Sequence, residues 1–479
     1  MISIEEKLYI GGEWSAPVSK KKIDIFSAST GEKIGIVPEA SQADVDAAVA
    51  AARKALHSKE WGGLNGAERG LILNRFADAV EKRGNQLAKS VSMQNGMPLI
   101  MSEQLESGFV VGMLRYYAAL ATSLVDEERR QSPLGFSTLV RRERIGVVGA
   151  IVPWNFPVAL SIMKIGPALA AGCAVVIKPS PETVLDCYIL AEAAEEAGVP
   201  PGALNWVPGG RDIGAYLVTH PGVDKIAFTG STAAGRAIAQ ECGRILRPVS
   251  LELGGKSAAI ILEDADLGSF LQAIPSVSML NSGQACFSCT RILAPTSRYQ
   301  EVVDGVASVI SSLPIGDPLE PSTVVGPMVT SAHRDRVESY IAKGKTEAKL
   351  VLGGGRPKHL DRGWYVEPTV FAGVSNSSTI AQEEIFGPVI TVIEYKDDSD
   401  ALAIANDSQY GLGGSIWTPD IERATNLARK LETGTVGING YLPDFNAPFG
   451  GVKASGLGRE LGPESVSAYQ QYKSIYLMG

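Results

Sequence analysis

The sequence predicts an α/β protein: a Rossmann-like parallel-sheet domain, a second α/β domain and a β arm. Three observations carry this. From residue 145, short apolar runs such as Ile145–Val152 and Ala174–Ile177 alternate with helix-length segments. Strands apolar on both faces belong to parallel sheets covered by helices. The alternation restarts after residue 256, which predicts a second domain. Segment 126–144 is a turn at Pro133-Leu-Gly135 between alternating flanks. It is either a projecting hairpin or an ordinary surface one.

Taken in order, residues 7–30 alternate around Gly11-Gly12 like a small edge hairpin. Ser41-Gln-Ala-Asp44 is a capping-box pattern opening an Ala/Val-rich helix to about Ser58. Residues 67–125 read as two or three long amphipathic helices. Next come strands at 145–152, 174–177, 204–207, 225–228 and 249–252, with helices at 159–171, 184–197, 212–219 and 232–242. The second set is Ser257–Leu262, Arg291–Ala294, Val389–Glu394, Gly414–Trp417 and Thr435–Ile438. Lys473–Leu477 is a short strand in the tail.

Composition narrows the function. A chain of 479 residues has room for two to four domains. Its 45% hydrophobic and 20% charged content is that of a soluble globular protein. A net charge of −8 argues against nucleic acid. Lys20–Lys22 reads as a solvated surface, and no apolar stretch approaches the roughly 20 residues of a membrane span. Met1–Lys7 is charged early, with no signal-peptide core. Five scattered cysteines make no disulfide framework, and His57, His220, His333 and His359 have no metal-ligand spacing. A reducing, cytoplasmic setting without metal, nucleic acid or membrane is expected.

Ligands of parallel sheets sit at the carboxyl ends of the strands, and the unusual residues fall there. Pro153-Trp154-Asn155-Phe156-Pro157 is a locked loop whose Asn155 amide suits an oxyanion site, or it is a rigid capped turn. Lys178 in Lys178-Pro-Ser180 suits ribose or phosphate, or is a solvated lysine. Gly230 and Ser231, in Phe228-Thr-Gly-Ser-Thr-Ala-Ala-Gly235, open a helix that could face a pyrophosphate. Their spacing is neither the dinucleotide fingerprint nor a P-loop. Gly456-Leu-Gly458 precedes no nucleotide helix. Glu252, flanked by leucines, is a general-base candidate or a paired carboxylate. Glu384 and Phe386, in Glu383-Glu-Ile-Phe-Gly-Pro388, could hold a ribose and flank a ring, or form a capping turn. Cys286 in Asn281–Arg291 is a nucleophile candidate, reactive in an electropositive, partly exposed site, or a buried structural thiol.

In order and wording, these stretches resemble the aldehyde dehydrogenase superfamily over essentially the whole chain. Gly166-Pro-Ala-Leu-Ala170, Leu251-Glu-Leu-Gly-Gly-Lys256, Gly283-Gln-Ala-Cys286, Pro448-Phe-Gly-Gly-Val-Lys453 and Ser455–Glu460 add to the match. The resemblance implies an NAD(P)-dependent, hydrolytic enzyme that does not acylate CoA. Cys286 is the implied nucleophile, Glu252 the base that activates water, and Asn155 the side-chain half of the oxyanion hole. Implied cofactor residues are Trp154, Lys178, Gly230, Ser231, Glu384 and Phe386. Leu160, Met163 and Phe449 are the implied substrate-tunnel residues. The implied domains are 1–121 with 145–253 for NAD(P), 254–446 for catalysis, and 122–144 with 447–479 as the bridging arm of a homodimer or homotetramer.

Two departures shape the expectations. Family members that carry Glu directly after Lys-Pro-small use it on the adenosine 2′-hydroxyl and disfavour NADP. Here that position is Pro181, with Glu182 next, so NAD is expected and NADP stays possible. No arginine stands at Met163 for a semialdehyde acid, and no aromatic cluster for a quaternary ammonium is visible. An apolar aldehyde (aliphatic, terpenoid or aromatic) is therefore expected. Cys289 is a packing thiol or a disulfide partner for Cys286. The rivals are a CoA-acylating relative, a silent protein on the same fold, and a cofactor-free cysteine hydrolase, for which no histidine stands in a recognisable context.

Overall fold

The computed structural model describes residues 6–478. Two N-terminal hairpins, Leu8–Ile10 with Glu13–Ser15 and Lys22–Phe26 with Lys33–Pro38, replace the single one expected. The helix Gln42–His57 starts on the expected capping box: Ser41 N donates to Asp44 Oδ2 at 2.7 Å and Asp44 N to Ser41 Oγ at 3.3 Å. Gly66–Lys82 has a second box, from Asn65 and Glu68. Gly84–Asn95 stops at Gly96, whose φ of 82° suits glycine. Helix Phe109–Ser123 follows a short helix, Leu99–Ser102, and a π-helical turn, Glu103–Gly108, that the sequence pattern did not reveal.

The first sheet has six strands, in the order Gly456–Leu457, Val249–Glu252, Lys225–Thr229, Val147–Ile151, Ala174–Lys178 and Leu204–Trp206. All pairs are parallel except the first. The chain winds outward in both directions from Val147–Ile151, which puts the topological switch point between that strand and Lys225–Thr229. Gly456-Leu-Gly458 is a strand end here: Gly456 pairs with Glu252, and a Cβ on it would come 2.1 Å from Leu251 O.

The second sheet has seven strands, in the order Lys349–Leu352, Thr369–Ala372, Val389–Tyr395, Arg291–Pro295, Ala258–Ile261, Gly414–Trp417 and Gly437–Ile438. Its first two strands escaped the sequence pattern, being four residues each and joined by a long loop. The third sheet joins Gln470–Leu477 to Ser137–Arg144 and Ser137–Arg144 to Glu127–Gln131, all antiparallel. Glu127–Gln131 is exposed throughout, as a projecting hairpin requires. Of the tail from residue 447, only this last strand joins the hairpin; Gly456–Leu457 belongs to the first sheet. Among the described residues, no helix is long and apolar enough to cross a membrane, and no cluster of His, Cys, Asp and Glu could hold a metal.

Candidate active site

The site lies at the switch point, where the first sheet meets the loop 281–290 of the second domain. Loop 152–156 leaves Val147–Ile151 and feeds the helix Pro157–Ala170, all of whose residues are buried. The Asn155 amide donates to Gln284 O at 3.0 Å, which ties the loop to the cysteine segment. Asn281 Nδ2 donates back to Asn155 O at 2.9 Å. Asn281 and Ser282 hold φ of 47° and 57°. Such left-handed non-glycine backbone persists where surrounding contacts over-determine it. Ser282 supplies one: it accepts from Gly326 N at 2.9 Å.

Cys286 follows this turn and is partly exposed, whereas Cys289 is wholly buried. Ser415 Oγ lies 3.7 Å from the Cys289 sulfur, and Cys289 belongs to the core, which favours the packing-thiol reading. The setting of Cys286 corrects an expectation. It is not electropositive: burial pushes the thiol up, and the Glu384 and Glu252 carboxylates push it further. Cys286 is therefore a protonated thiol at rest.

Glu252 ends its strand with 4% of its surface exposed. Burial holds its carboxyl well above the usual range; Glu460 adds to this, while Lys164 and Arg459 oppose it. Its Oε2 has no hydrogen-bond partner. The following Gly254-Gly255 lets two segments close in. A Cβ on Gly254 would lie 2.5 Å from Glu384 Oε2, and one on Gly255 would lie 2.4 Å from Cys286 O.

The expected cofactor residues stand at or just after strand ends of the first sheet or, for Glu384 and Phe386, precede Val389–Tyr395 of the second. Lys178 Nζ donates to Pro179 O and Gly209 O at 2.8 and 2.9 Å, and burial lowers its pKa to about 8. Two N–H groups are thus engaged and one is left for a hydroxyl. Gly230 N donates to Glu252 O at 3.0 Å. Ser231 caps the helix Thr232–Arg244, whose first turn supplies N–H groups suited to a phosphate. Glu384 Oε1 accepts from Gly255 N at 2.9 Å, and burial raises its pKa to about 7. The Trp154 and Phe386 rings meet edge-on at 5.3 Å. Phe386 has a φ of 62°.

Sequence reasoning missed the residues that support Trp154 and the segment 384–386. His333 packs 5.2 Å from Trp154, and its Nε2 lies 2.6 Å from Phe386 O. Burial lowers its pKa to about 4, so the neutral ring donates to that carbonyl. Arg336, one turn on, donates to Glu384 O and Ile385 O at 2.8 and 2.7 Å. The helix Ser331–Glu347 therefore clamps the segment that carries Glu384 and Phe386. The i, i+3 spacing of His333 and Arg336 was the available signal.

Leu160 and Met163 are buried in the first two turns of Pro157–Ala170, and Phe449 pairs through its backbone with Glu460. Three rings gather here, packed edge-on: the Phe287 ring lies 5.5 Å from Tyr441 and 6.1 Å from Phe449. Sequence could not show this, because these rings meet only across the folded loop 435–449. That loop lines a cavity of about 430 Å³. Phe445 packs on Phe109 and Tyr116 at 5.8 and 5.6 Å.

Residues 14–475 match the aldehyde dehydrogenase family. The geranial dehydrogenase of Castellaniella defragrans is 64% identical over 474 residues, 99% of each chain. The fold is similar to that of a Mycobacterium tuberculosis aldehyde dehydrogenase complexed with NAD+: TM-score 0.96, 46% identity, 98% of each chain covered. It is also similar to a Pseudomonas syringae aldehyde dehydrogenase C mutant complexed with NAD+ and octanal: TM-score 0.95, 37% identity, 98% of this chain and 96% of that one. The match over residues 14–475 and the 64% identity over nearly the whole chain show that this protein belongs to the aldehyde dehydrogenase family.

Proposed function

We propose that the protein oxidises an apolar aldehyde of terpenoid or medium-chain type to its acid, with NAD+ as acceptor. The observation that carries the substrate class is the 64% identity to a geranial dehydrogenase. Apolar Leu160, Met163 and Phe449 as tunnel residues fit it. NAD+ supplies the acceptor for the hydride when bound. Lys178 would hold the adenosine ribose, Ser231 and Gly230 would face the pyrophosphate, Glu384 would hold the second ribose, and Trp154 and Phe386 would flank the ring. Glu182 contacts Ser180 Oγ and raises the pKa of Lys178. Its negative charge at this subsite disfavours a 2′-phosphate, which supports NAD+ over NADP+.

Cys286 Sγ adds to the aldehyde carbon once its proton is accepted by Glu252. The oxyanion that forms is held by the Asn155 amide and the Cys286 N–H; losing one such donor typically costs about 100–1,000-fold in kcat. Hydride loss leaves a thioester. Glu252 passes the thiol's proton to solvent and then takes one from water, which adds to the thioester; collapse releases the acid and a thiolate, which Glu252 reprotonates. The raised pKa of Glu252 makes its carboxylate a stronger base than an ordinary glutamate, as general-base catalysis requires.

The three-stranded sheet is read as the subunit-joining arm of a dimer or tetramer. Its exposed Tyr472, Ile475 and Tyr476 support this. A cytoplasmic location fits five free cysteines.

The test is NADH formation with geranial, octanal, benzaldehyde, betaine aldehyde and succinic semialdehyde, beside Cys286→Ala and Glu252→Gln. We expect the first three to lead in kcat/KM, no turnover in Cys286→Ala, and a single NADH burst in Glu252→Gln. The Phe287–Tyr441–Phe449 rings favour betaine aldehyde as the second reading. If betaine aldehyde led the panel, the apolar assignment would fall.

A further inference from the structure

Helix Pro157–Ala170 begins without a cap of its own. Phe156 at its N-cap makes no side-chain hydrogen bond, and Pro157 has no N–H. The next two N–H groups, of Val158 and Ala159, donate to Glu106 Oε2 at 2.7 and 3.3 Å. Glu106 reaches them from the π-helical turn Glu103–Gly108, 52 residues back in sequence. Its residue is wholly buried, and its other oxygen, Oε1, has no hydrogen-bond partner. Burial, with Asp186 nearby, raises its pKa to about 8, while the bonds from Val158 and Ala159 favour its charged form.

What these bonds fix is the loop just before the helix. Asn95 Nδ2 donates to Trp154 O at 3.1 Å and to Asn155 O at 3.2 Å, and Asn281 Nδ2 also reaches Asn155 O. The carbonyl side of loop 154–156 is thus held by two asparagines. Its exit is held by Glu106 alone among side chains that cap this helix. A local Ser or Asp cap would have to replace Phe156, which is buried in the core.

We infer that Glu106 is a positioning residue for catalysis, fixing the start of the helix so that the Asn155 amide is aimed at the developing oxyanion. The assignment rests on the reading of Asn155 as oxyanion donor. It concerns a residue that touches neither aldehyde nor cofactor, 49 positions before the one it serves. Glu106→Gln keeps one acceptor oxygen but replaces the carboxyl by an amide with a bulkier, donating second group. Glu106→Ala leaves two buried N–H groups unpaired. Glu106→Asp keeps the carboxyl on a shorter arm.

The test is a double-mutant cycle in the full-length enzyme with Asn155→Ala, read by the rate of the NADH burst. Two controls accompany it: NAD+ affinity, and the rate at which iodoacetamide alkylates Cys286, a reaction that forms no oxyanion. Glu106→Gln is expected to slow the burst by about 10- to 100-fold, the scale of a misaimed catalytic group. Alkylation and NAD+ affinity are expected to stay within about two-fold, the scale of no lost interaction. In the Asn155→Ala background Glu106→Gln should add nothing. An equal further loss in that background, a parallel fall in alkylation, or an unchanged burst would each overturn the assignment. Glu106→Asp serves the same cycle where Glu106→Gln does not fold. An Asn155→Ala enzyme with a wild-type burst would remove the oxyanion reading itself, and the assignment of Glu106 with it.

Discussion

The Lys164 ammonium lies 2.8 Å from Glu460 Oε1 and 2.6 Å from Thr229 Oγ1, with neither Lys164 nor Glu460 more than slightly exposed. This buried pair faces Glu252, and its members act on Glu252 with opposite sign: Glu460 raises the carboxyl pKa and Lys164 lowers it. The basicity of Glu252 is therefore the balance of burial, this pair, whose members lie 296 residues apart in sequence, and Arg459.

Opposite pH shifts follow for the two partners. Lys164→Met removes the lowering charge, so the Glu252 pKa rises and the acid limb of thioester hydrolysis moves to higher pH. Glu460→Gln removes a raising charge, so that limb moves to lower pH. Each variant also breaks a buried ion pair, at about 3–5 kcal/mol of stability. The pH dependence of kcat under deacylation-limited conditions checks both; limbs that moved the same way would contradict this account.

Glu384 predicts a pH-dependent cofactor affinity. Its pKa is raised to about 7, chiefly by burial. Above that pH the carboxylate accepts from ribose hydroxyls; below it, the neutral acid accepts weakly. KM for NAD+ should rise as pH falls through 7. A hydrogen bond to a charged group contributes about 1.5–3 kcal/mol, so Glu384→Gln should weaken NAD+ by roughly 10- to 100-fold. Lys256, lowered to about 7 by burial and Arg291, is the other neighbour that titrates here. The slope should survive Lys256→Met and vanish in Glu384→Gln; a slope that followed Lys256 instead would reassign it.

His333→Ala tests the clamp. The variant loses the bond to Phe386 O and the ring contacts to Trp154 and Phe386. Phe386 sits at a φ of 62°, a conformation that costs on the order of 1–3 kcal/mol and persists only while held. We expect KM for NAD+ to rise about ten-fold, the equivalent of 1.4 kcal/mol, with aldehyde ranking unchanged. Since the ring is neutral down to about pH 4, wild-type KM should owe none of its pH dependence to His333. Unaltered NAD+ titrations in the variant would show that the turn holds itself.

These three sites also mark where sequence stopped. The strands and helices of 145–252 were legible because each strand is apolar on both faces. Cys286, Glu252 and Asn155 could be singled out as candidates because each lies in a string that resembles the family's. Lys164 was visible only as a lone charge in a helix buried along its whole length. Its partner Glu460 stood in a quoted motif with no stated role, because their meeting is a tertiary event. The strands Lys349–Leu352 and Gly456–Leu457 are short edges, paired with Thr369–Ala372 across a long loop and with the sequence-distant Val249–Glu252, and periodicity has no hold on them.

Gly166→Ala should destabilise the fold, although alanine is the better helix former by about 1 kcal/mol. A Cβ at Gly166 would lie 2.3 Å from Tyr117 Cδ2. Tyr117 is wholly buried, and its hydroxyl is 3.0 Å from Ser465 Oγ, so its ring cannot retreat without breaking that bond. Overpacking of this kind costs about 1–3 kcal/mol. A lower denaturant midpoint with unchanged slope is expected; a raised midpoint would show that Tyr117 yields.

Met163→Arg tests the apolar tunnel. Met163 is 6% exposed, in the second turn of the helix that follows Asn155. A guanidinium there would be desolvated beside an apolar aldehyde and paired beside a carboxylate-bearing one. We expect kcat/KM for geranial and octanal to fall at least about ten-fold, and that for succinic semialdehyde to rise. A charge-assisted pair contributes about 1.5–3 kcal/mol, enough to reverse a ten-fold preference. The iodoacetamide rate at Cys286 should stay near wild type, which separates altered specificity from a damaged site. If both aldehyde classes lost activity equally while Cys286 still alkylated normally, Met163 would lie outside the tunnel. The specificity would then rest on Phe287, Tyr441 and Phe449, whose rings already meet beside the nucleophile.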